Sequence, residues 1–168
     1  MINNLNSVHF LLIAAAGGCI YLSLREVRRR YISIWRLFAP ALLALVVGGI
    51  LSLLQLGERA PLAAWWFGAA LAGGFVVGSV RAMMIGIQHD MYRPQVNLTH
   101  RSKLMLLWVA VAVGVAVAIE CVGAFSGNPA LEAFRLGGAL VAMVCAGAML
   151  GRALVLTLRL YRVDRVSA

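Results

Sequence analysis

The chain has 168 residues, of which 62% are hydrophobic and only 12% are charged, and its formal net charge is +9. A typical soluble domain has roughly 25% charged residues, so this composition excludes an ordinary soluble globular protein. In a soluble protein the positive charge would suggest nucleic-acid binding, but here the basic residues lie between apolar segments instead of forming one face. The anionic partner that this pattern predicts is the membrane lipid headgroup, and not a nucleic acid.

Apolar runs account for most of the chain and lie, in order, at 8–24, 37–56, 62–80, 104–125 and 136–158. About 20 apolar residues cross the hydrocarbon core as a helix, and backbone groups in lipid must be hydrogen-bonded within their own segment. The sequence therefore predicts an all-α integral membrane protein, with one transmembrane domain of about five helices over residues 1–168. The first run is the shortest, and without it four helices would remain and the N-terminus would lie in the cytoplasm.

The basic residues are distributed unequally between the two ends of the predicted helices. Of the 15 Lys and Arg residues only Arg59 and Arg135 fall at one end, which leaves 13 at the other. Short cytoplasmic loops carry the excess of Lys and Arg in multi-pass proteins. The asymmetry predicts that the N-terminus lies outside and the C-terminus in the cytoplasm.

Three arginines are predicted to lie near the cytoplasmic ends of helices, and ionisable residues at membrane depth deserve a functional hypothesis. These are Arg36, Arg81 and Arg152. Arg81 follows Gly74 and Gly78 at helical spacing, so it shares their face. The simpler interpretation of Arg81 and Arg152 is that these side chains extend individually to lipid headgroups. The alternative is that the two guanidinium groups converge on a phosphate or carboxylate, whose geometry suits the planar fork.

A carboxylate and an arginine flank the predicted fourth connection. Glu120 lies several residues before the end of the fourth helix, and Arg135 lies at the start of the fifth. An intramembrane ion pair between them would offset the cost of burying the carboxylate. The alternative is that Glu120 carries protons, which would require a second titratable group deeper in the bundle.

The sequence contains no recognisable catalytic, metal or cofactor motif, and it predicts a non-enzymatic protein without metal or cofactor. Two histidines at one depth on facing helices would be needed for haem, whereas His9 lies at the outer end and His89 and His100 flank an inner loop. A metal held by His89, Asp90 and His100 is an alternative that the sequence leaves open. Three isolated cysteines are interpreted as buried small residues.

Glycine and alanine recur at four-residue spacing, most clearly at Gly74 and Gly78 and at Gly147 and Gly151. Such stripes allow close approach of helix backbones in lipid. They predict a compact bundle within one chain. The alternative is that a Gly/Ala face, above all Gly147 and Gly151, packs against another membrane protein subunit.

The layout of the chain resembles that of the CcdC-like bacterial membrane proteins, a family associated with cytochrome c biogenesis. The shared features are an arginine-rich first loop, a second helix opening with Arg36 and Pro40, a glycine-bearing third helix, the segments 98–103 and 147–152, and the compact motif Arg101-Ser102-Lys103. Family members carry an arginine in the fourth helix, where this chain has Glu120. The resemblance implies five helices, a location in the bacterial inner membrane and a role in the assembly of respiratory complexes, and it implies no catalytic residues.

From these features we predict an accessory subunit or assembly factor of a larger membrane complex, such as a respiratory or cytochrome complex. The alternative function is a small transporter or an anionic-lipid-binding protein that uses Arg81 and Arg152.

Overall fold

The structure is a computed structural model that describes residues 7–28, 34–56, 62–85, 87–90, 93–96, 100–126 and 131–164. For residues 34, 35, 62, 63, 87–90, 93–96, 100, 101 and 162–164 only the backbone is described. The helices are α1 (Ser7–Arg28), α2 (Ile34–Leu56), α3 (Leu62–Met83), α4 (His100–Ser126) and α5 (Glu132–Asp164).

Each predicted apolar run lies within one of these helices, so the helical prediction is confirmed. Within the described residues five helices are long and apolar enough to cross a membrane, and α1, the shortest predicted run, is one of them with 22 residues. By length and composition, these five helices are consistent with a multi-pass membrane protein. The helices extend past the apolar runs because hydropathy marks the apolar stretch, whereas a helix continues through charged residues until its backbone hydrogen bonding stops.

One element was not predicted. The connection between α3 and α4 contains a two-stranded antiparallel hairpin of β1 (Ile87–Asp90) and β2 (Arg93–Val96). Its strands are only four residues long, and its polar composition shows none of the apolar alternation by which a strand is recognised in sequence.

Four of the helices form a bundle and the third packs on its side. Helix α1 contacts α2 and α4. Helix α5 also contacts α2 and α4, and α3 packs mainly against α5. The centre of this bundle is apolar, with small side chains at most positions. Its fully buried members include Leu12, Cys19, Ala44, Val47, Val113, Ala142 and Ala146. Small residues suit this position because they let helix axes approach closely.

The two ends of the bundle differ in charge. We call the end at which α1, α3 and α5 finish and α2 and α4 begin the basic end, and the other the opposite end. Within the described helices Arg25, Arg28, Arg36, Arg81, Lys103, Arg152 and Arg159 lie at or near the basic end, and Arg135 lies near the opposite end. The alternation expected from the sequence is therefore present in the packed helices.

Glycines bring α3 and α5 into direct backbone contact. A Cβ atom at any of four positions would overlap a carbonyl oxygen of the facing helix: Gly74 with Val144, Gly78 with Ala148, Gly147 with Leu71, and Gly151 with Phe75. The residue numbers rise together, so the two helices run in the same direction. Since Gly78 faces Ala148, Arg81 and Arg152, one turn further along each helix, lie at the same level.

Candidate anion site at the basic end of the bundle

A buried ion pair crosses the basic end of the bundle. Arg152 of α5 donates from Nη2 to Oε1 of Glu26 in α1 over 2.7 Å. The Glu26 side chain is only 2% exposed and that of Arg152 is 14% exposed. Among the described residues, neither Oε2 of Glu26 nor Nε of Arg152 has a hydrogen-bond partner. The pair therefore has one direct hydrogen bond, and each of the two side chains keeps one polar atom that could bond a further group.

This ion pair corrects the sequence interpretation of both residues. The first predicted apolar run ended at residue 24 and left Glu26 outside it, whereas α1 continues to Arg28 and buries Glu26. A carboxylate in the last turn of a helix lies near the negative end of the helix dipole and is disfavoured unless a cation pairs with it. Arg152 supplies that cation, so its side chain is engaged inside the protein instead of extending alone to a headgroup.

A signal for Glu26 was present in the sequence. The buried face of α1 includes Ala16, Cys19, Ser23 and Glu26, at alternating spacings of three and four residues. Extending the helical period by one turn past Leu24 places Glu26 on the same face. Glu26 was overlooked because the apolar run ends at residue 24, before the charged residues begin.

A cavity of about 60 Å³ lies between α3, α4 and α5 at the basic end. Arg81 and Arg152 both line it, together with Ser102 at the start of α4 and the apolar side chains of Ala82 and Met149. A single water needs about 10–15 Å³ of such volume, so this cavity has room for a group the size of a phosphate. The structure therefore places the two predicted arginines at one cavity.

Arg81 and Arg152 differ in their partners. In the described part of the chain no carboxylate pairs with Arg81, which is exposed. The charge of Arg152 is paired with that of Glu26. Arg36, the third arginine predicted for the site, is exposed at the start of α2 and does not line the cavity. The site that the residues form is thus built on Arg81 and Arg152, and Arg36 lies outside it.

Arg159 has a role that the sequence did not reveal. Its Nη1 donates to the carbonyl oxygens of Ala82, Met83 and Ile85, at 2.9, 3.1 and 2.7 Å. The last carbonyl groups of a helix have no partner within it, and a basic side chain can satisfy them. Arg159 thereby ties the end of α3 to α5 and holds Arg81, one residue before Ala82, beside the cavity.

The second charged cluster lies near the opposite end. Arg135 donates from Nε to Oε2 of Glu120 over 3.1 Å and from Nη2 to Oε1, a bidentate contact. Gln55 of α2 also donates to Oε2 of Glu120, over 3.2 Å. The Glu120 side chain is only 1% exposed. The structure thus places Arg135 beside Glu120, and it adds Gln55, the amide of α2 that the sequence analysis did not select.

Between these two clusters the described core is apolar. Its polar and charged buried residues are His9, Ser23, Glu26, Ser52, Gln55 and Glu120, which lie toward one end or the other. Ser52 donates to the carbonyl oxygen of Gly48 in its own helix. The described residues at intermediate depth therefore offer no chain of polar groups from one end to the other.

The metal and cysteine hypotheses have separate outcomes. Among the described residues no three His, Cys, Asp or Glu side chains are grouped as metal ligands. The side chains of His89, Asp90 and His100 lie outside the described residues, so that alternative is not tested. Cys19 and Cys145 are buried free thiols and Cys121 is a half-buried one.

The glycine stripes of α3 and α5 face each other within the chain. Gly147 and Gly151, which the sequence offered as a contact for another subunit, are covered by Leu71 and Phe75 of α3. The predicted packing within one chain therefore accounts for this stripe. A contact of other Gly/Ala faces with partner subunits stays a prediction.

The chain was also compared with known proteins. No family model, curated protein or solved structure matches it. These comparisons do not bear on the resemblance to CcdC-like proteins, which stays a prediction. The functional argument therefore depends on the geometry of the chain's own residues.

Proposed function

We propose that this protein is a multi-pass protein of the bacterial inner membrane that binds the phosphate of an anionic lipid in the cavity at its basic end. In the proposed orientation the basic end lies in the cytoplasm, because loops rich in Lys and Arg remain on that side of the membrane. In this orientation the cavity lies near the level of the inner-leaflet headgroups.

The observation that carries the proposal is that Arg81, which no described carboxylate pairs with, lines the same cavity as Arg152. The charges of Arg81, Arg152 and Glu26 sum to +1, which one phosphodiester would balance. A guanidinium group can hold two phosphate oxygens at once. A charge moved toward hydrocarbon costs a few kcal/mol, and a bound phosphate would offset part of that cost for Arg81.

The other candidate functions have less support. A small transporter needs a polar path, and the described middle of the bundle is apolar. A role as a non-enzymatic accessory subunit or assembly factor, including the cytochrome-related role that the family resemblance implies, stays a prediction that no described contact favours. Lipid binding and such a role are compatible.

The proposal is tested by measuring phosphatidylglycerol bound to the detergent-purified protein by native mass spectrometry. We expect Arg81→Gln to weaken lipid binding about tenfold, the effect of losing a hydrogen bond between charged groups. Arg81→Lys retains the charge without the planar fork and should weaken binding by a smaller factor of about five, on the order of 1 kcal/mol.

Arg36→Gln is the matched control, because Arg36 is an exposed arginine near the same end and does not line the cavity. It should leave lipid binding within about twofold of wild type, the scatter that surface changes produce. Equal binding by wild type, Arg81→Gln and Arg81→Lys would contradict the proposal, and Arg81 would then be an arginine that extends to whichever headgroup is near.

A further inference from the structure

Arg152 is shared between the cavity at the basic end and a buried carboxylate. Its side chain lines the cavity, and its Nη2 donates to Oε1 of Glu26 over 2.7 Å. The guanidinium group therefore lies between Glu26 and an anion bound in the cavity. Among the described residues the Nε of Arg152 has no hydrogen-bond partner, so the group keeps an unused donor while it holds the carboxylate.

Glu26 is the acidic side chain that the structure describes at this end of the bundle. The other two acidic side chains within the described residues, Glu120 and Glu132, belong to the last part of α4 and the start of α5, near the opposite end. The Glu26 side chain is 2% exposed, so solvent ions screen its charge much less than that of a surface residue. Its negative charge therefore acts on an anion in the cavity.

The effect of Glu26 on a bound anion depends on the charge of that anion. A Coulomb energy is proportional to each of the two charges, so an anion with two negative charges is repelled twice as strongly as an anion with one. A phosphodiester carries one negative charge, whereas a phosphomonoester carries about two once its second proton, with a pKa of about 6, has dissociated. If Glu26 weakens the binding of a diester by some factor, it weakens that of a monoester by the square of that factor.

We propose that Glu26 is a specificity-determining residue for headgroup charge, which acts through Arg152 to disfavour phosphomonoesters relative to phosphodiesters. This inference rests on the proposed function, because it uses the same cavity and the same arginines. It narrows the ligand to lipids whose headgroup is a phosphodiester with one negative charge. Two arginines without such a carboxylate would favour the more highly charged headgroup, because each guanidinium group attracts a dianion more strongly.

The decisive measurement is a ratio of two affinities on one protein. Wild type and Glu26→Gln in phosphatidylcholine nanodiscs at about pH 8, where a phosphomonoester carries about two charges, are titrated with phosphatidic acid and with phosphatidylglycerol. Bound lipid is read by native mass spectrometry. Phosphatidic acid is the phosphomonoester and phosphatidylglycerol the phosphodiester.

Glu26→Gln retains the shape of the side chain and removes its charge. We expect phosphatidylglycerol to bind about fivefold more tightly and phosphatidic acid about 25-fold more tightly, so that the ratio of the two affinities rises about fivefold. This factor is that of like charges roughly 7 Å apart in surroundings between bulk water and a protein surface.

Glu120→Gln is the matched control. Like Glu26, Glu120 is a buried carboxylate that pairs with an arginine of α5, but it lies near the opposite end. Its substitution should leave the ratio within about twofold of wild type, the scatter of remote changes.

The double variant with Glu26→Gln and Arg152→Gln separates charge from packing. It removes both charges of the pair, so neither is left buried without its partner. The sum of charges at the cavity is again that of wild type, and the arginine nearer to the phosphate is gone. We therefore expect the ratio to fall back to the wild-type value or below it, while both lipids bind more weakly than to Glu26→Gln.

The outcomes separate this inference from the proposed function. If Arg81→Gln weakens binding of both lipids but Glu26→Gln leaves their ratio within about twofold of wild type, the phosphate site stands and the role of Glu26 is wrong. If neither substitution changes the binding of either lipid, both proposals fail. A raised ratio that persists in the double variant, or that Glu120→Gln reproduces, would come from altered packing and would also overturn the inference.

Discussion

At the scale of single residues, the bundle buries two carboxylates, and each is paired with an arginine. Glu26 and Glu120 lie near different ends, and each pairs with an arginine of α5. Their surroundings differ. Glu120 accepts hydrogen bonds from Arg135 and Gln55 at both oxygens, whereas only one oxygen of Glu26 accepts one from the described residues. The Glu120 pair, in which both carboxylate oxygens are hydrogen-bonded, suits a structural role. The Glu26 pair, in which one oxygen is not, borders the cavity that we assign to a ligand.

The Glu120 cluster yields a stability prediction. Arg135→Ala leaves a buried carboxylate without its cation and should lower the free energy of unfolding by about 3–5 kcal/mol. Glu120→Gln removes the buried charge, retains an acceptor for Gln55, and leaves an arginine that is already 17% exposed. Its loss should be smaller, about 1–2 kcal/mol. Reversible unfolding with dodecyl sulfate in mixed micelles, followed by circular dichroism, measures both losses.

Arg28→Ala serves as the control for this comparison, since Arg28 is an exposed arginine in the last turn of α1. It should change the unfolding free energy by less than about 0.5 kcal/mol. Equal and negligible losses for Glu120→Gln and Arg135→Ala would mean that the two side chains do not meet in the folded protein.

At the scale of elements, the pair of parallel helices α3 and α5 positions the candidate site. Gly78 contacts the backbone of Ala148, and Arg159 satisfies the last carbonyl groups of α3. Both contacts lie within one turn of Arg81 or Arg152. The level of the two guanidinium groups is thus determined by backbone contacts on one side and by a side-chain cap on the other.

Substitution of the interface glycine should separate these helices. Gly78→Ala would drive a methyl group into the backbone of Ala148, so we expect a loss of about 1–3 kcal/mol in unfolding free energy, the usual cost of overpacking. Gly73→Ala adds the same methyl group to the same helix where nothing lies within 4 Å. It should be neutral within about 0.5 kcal/mol. Dodecyl sulfate unfolding of both variants provides the measurement, and equal effects would refute the assigned interface.

At the scale of the whole molecule, the alternating helix directions and the charge asymmetry predict a topology. In a background with Cys19, Cys121 and Cys145 replaced by alanine, Ser126→Cys and Ser7→Cys should react with a membrane-impermeant maleimide in intact cells. Arg28→Cys should react only after permeabilisation. All three positions are exposed, and the first two lie near the opposite end of the bundle.

Labelling of every variant in detergent provides the control for intrinsic reactivity. The five-crossing topology is wrong if Ser126→Cys and Arg28→Cys react from the same side. If Ser7→Cys and Arg28→Cys are both protected in intact cells while Ser126→Cys reacts, α1 does not cross and the N-terminus lies in the cytoplasm, which is the four-helix alternative.

The sequence by itself determined the helices, their alternation and the local ion pair. Apolar runs of membrane-spanning length leave the backbone no option but helix, and Glu120 and Arg135 are only 15 positions apart, on consecutive helices. The stripes of Gly74, Gly78, Gly147 and Gly151 also identified helix faces that allow close contact. These features depend on neighbours along the chain, and periodicity is sufficient to predict them.

Only the tertiary structure decided which faces meet. The contact of Arg152 with Glu26 spans 126 positions, and that of Arg159 with Ala82 spans 77. Hydropathy gives each helix an apolar surface on nearly all sides, so it specifies no partner; shape at the small residues and the pairing of buried charges specify it instead. That is why the sequence selected Arg36 together with Arg81 and Arg152, and why packing placed only the last two at the cavity.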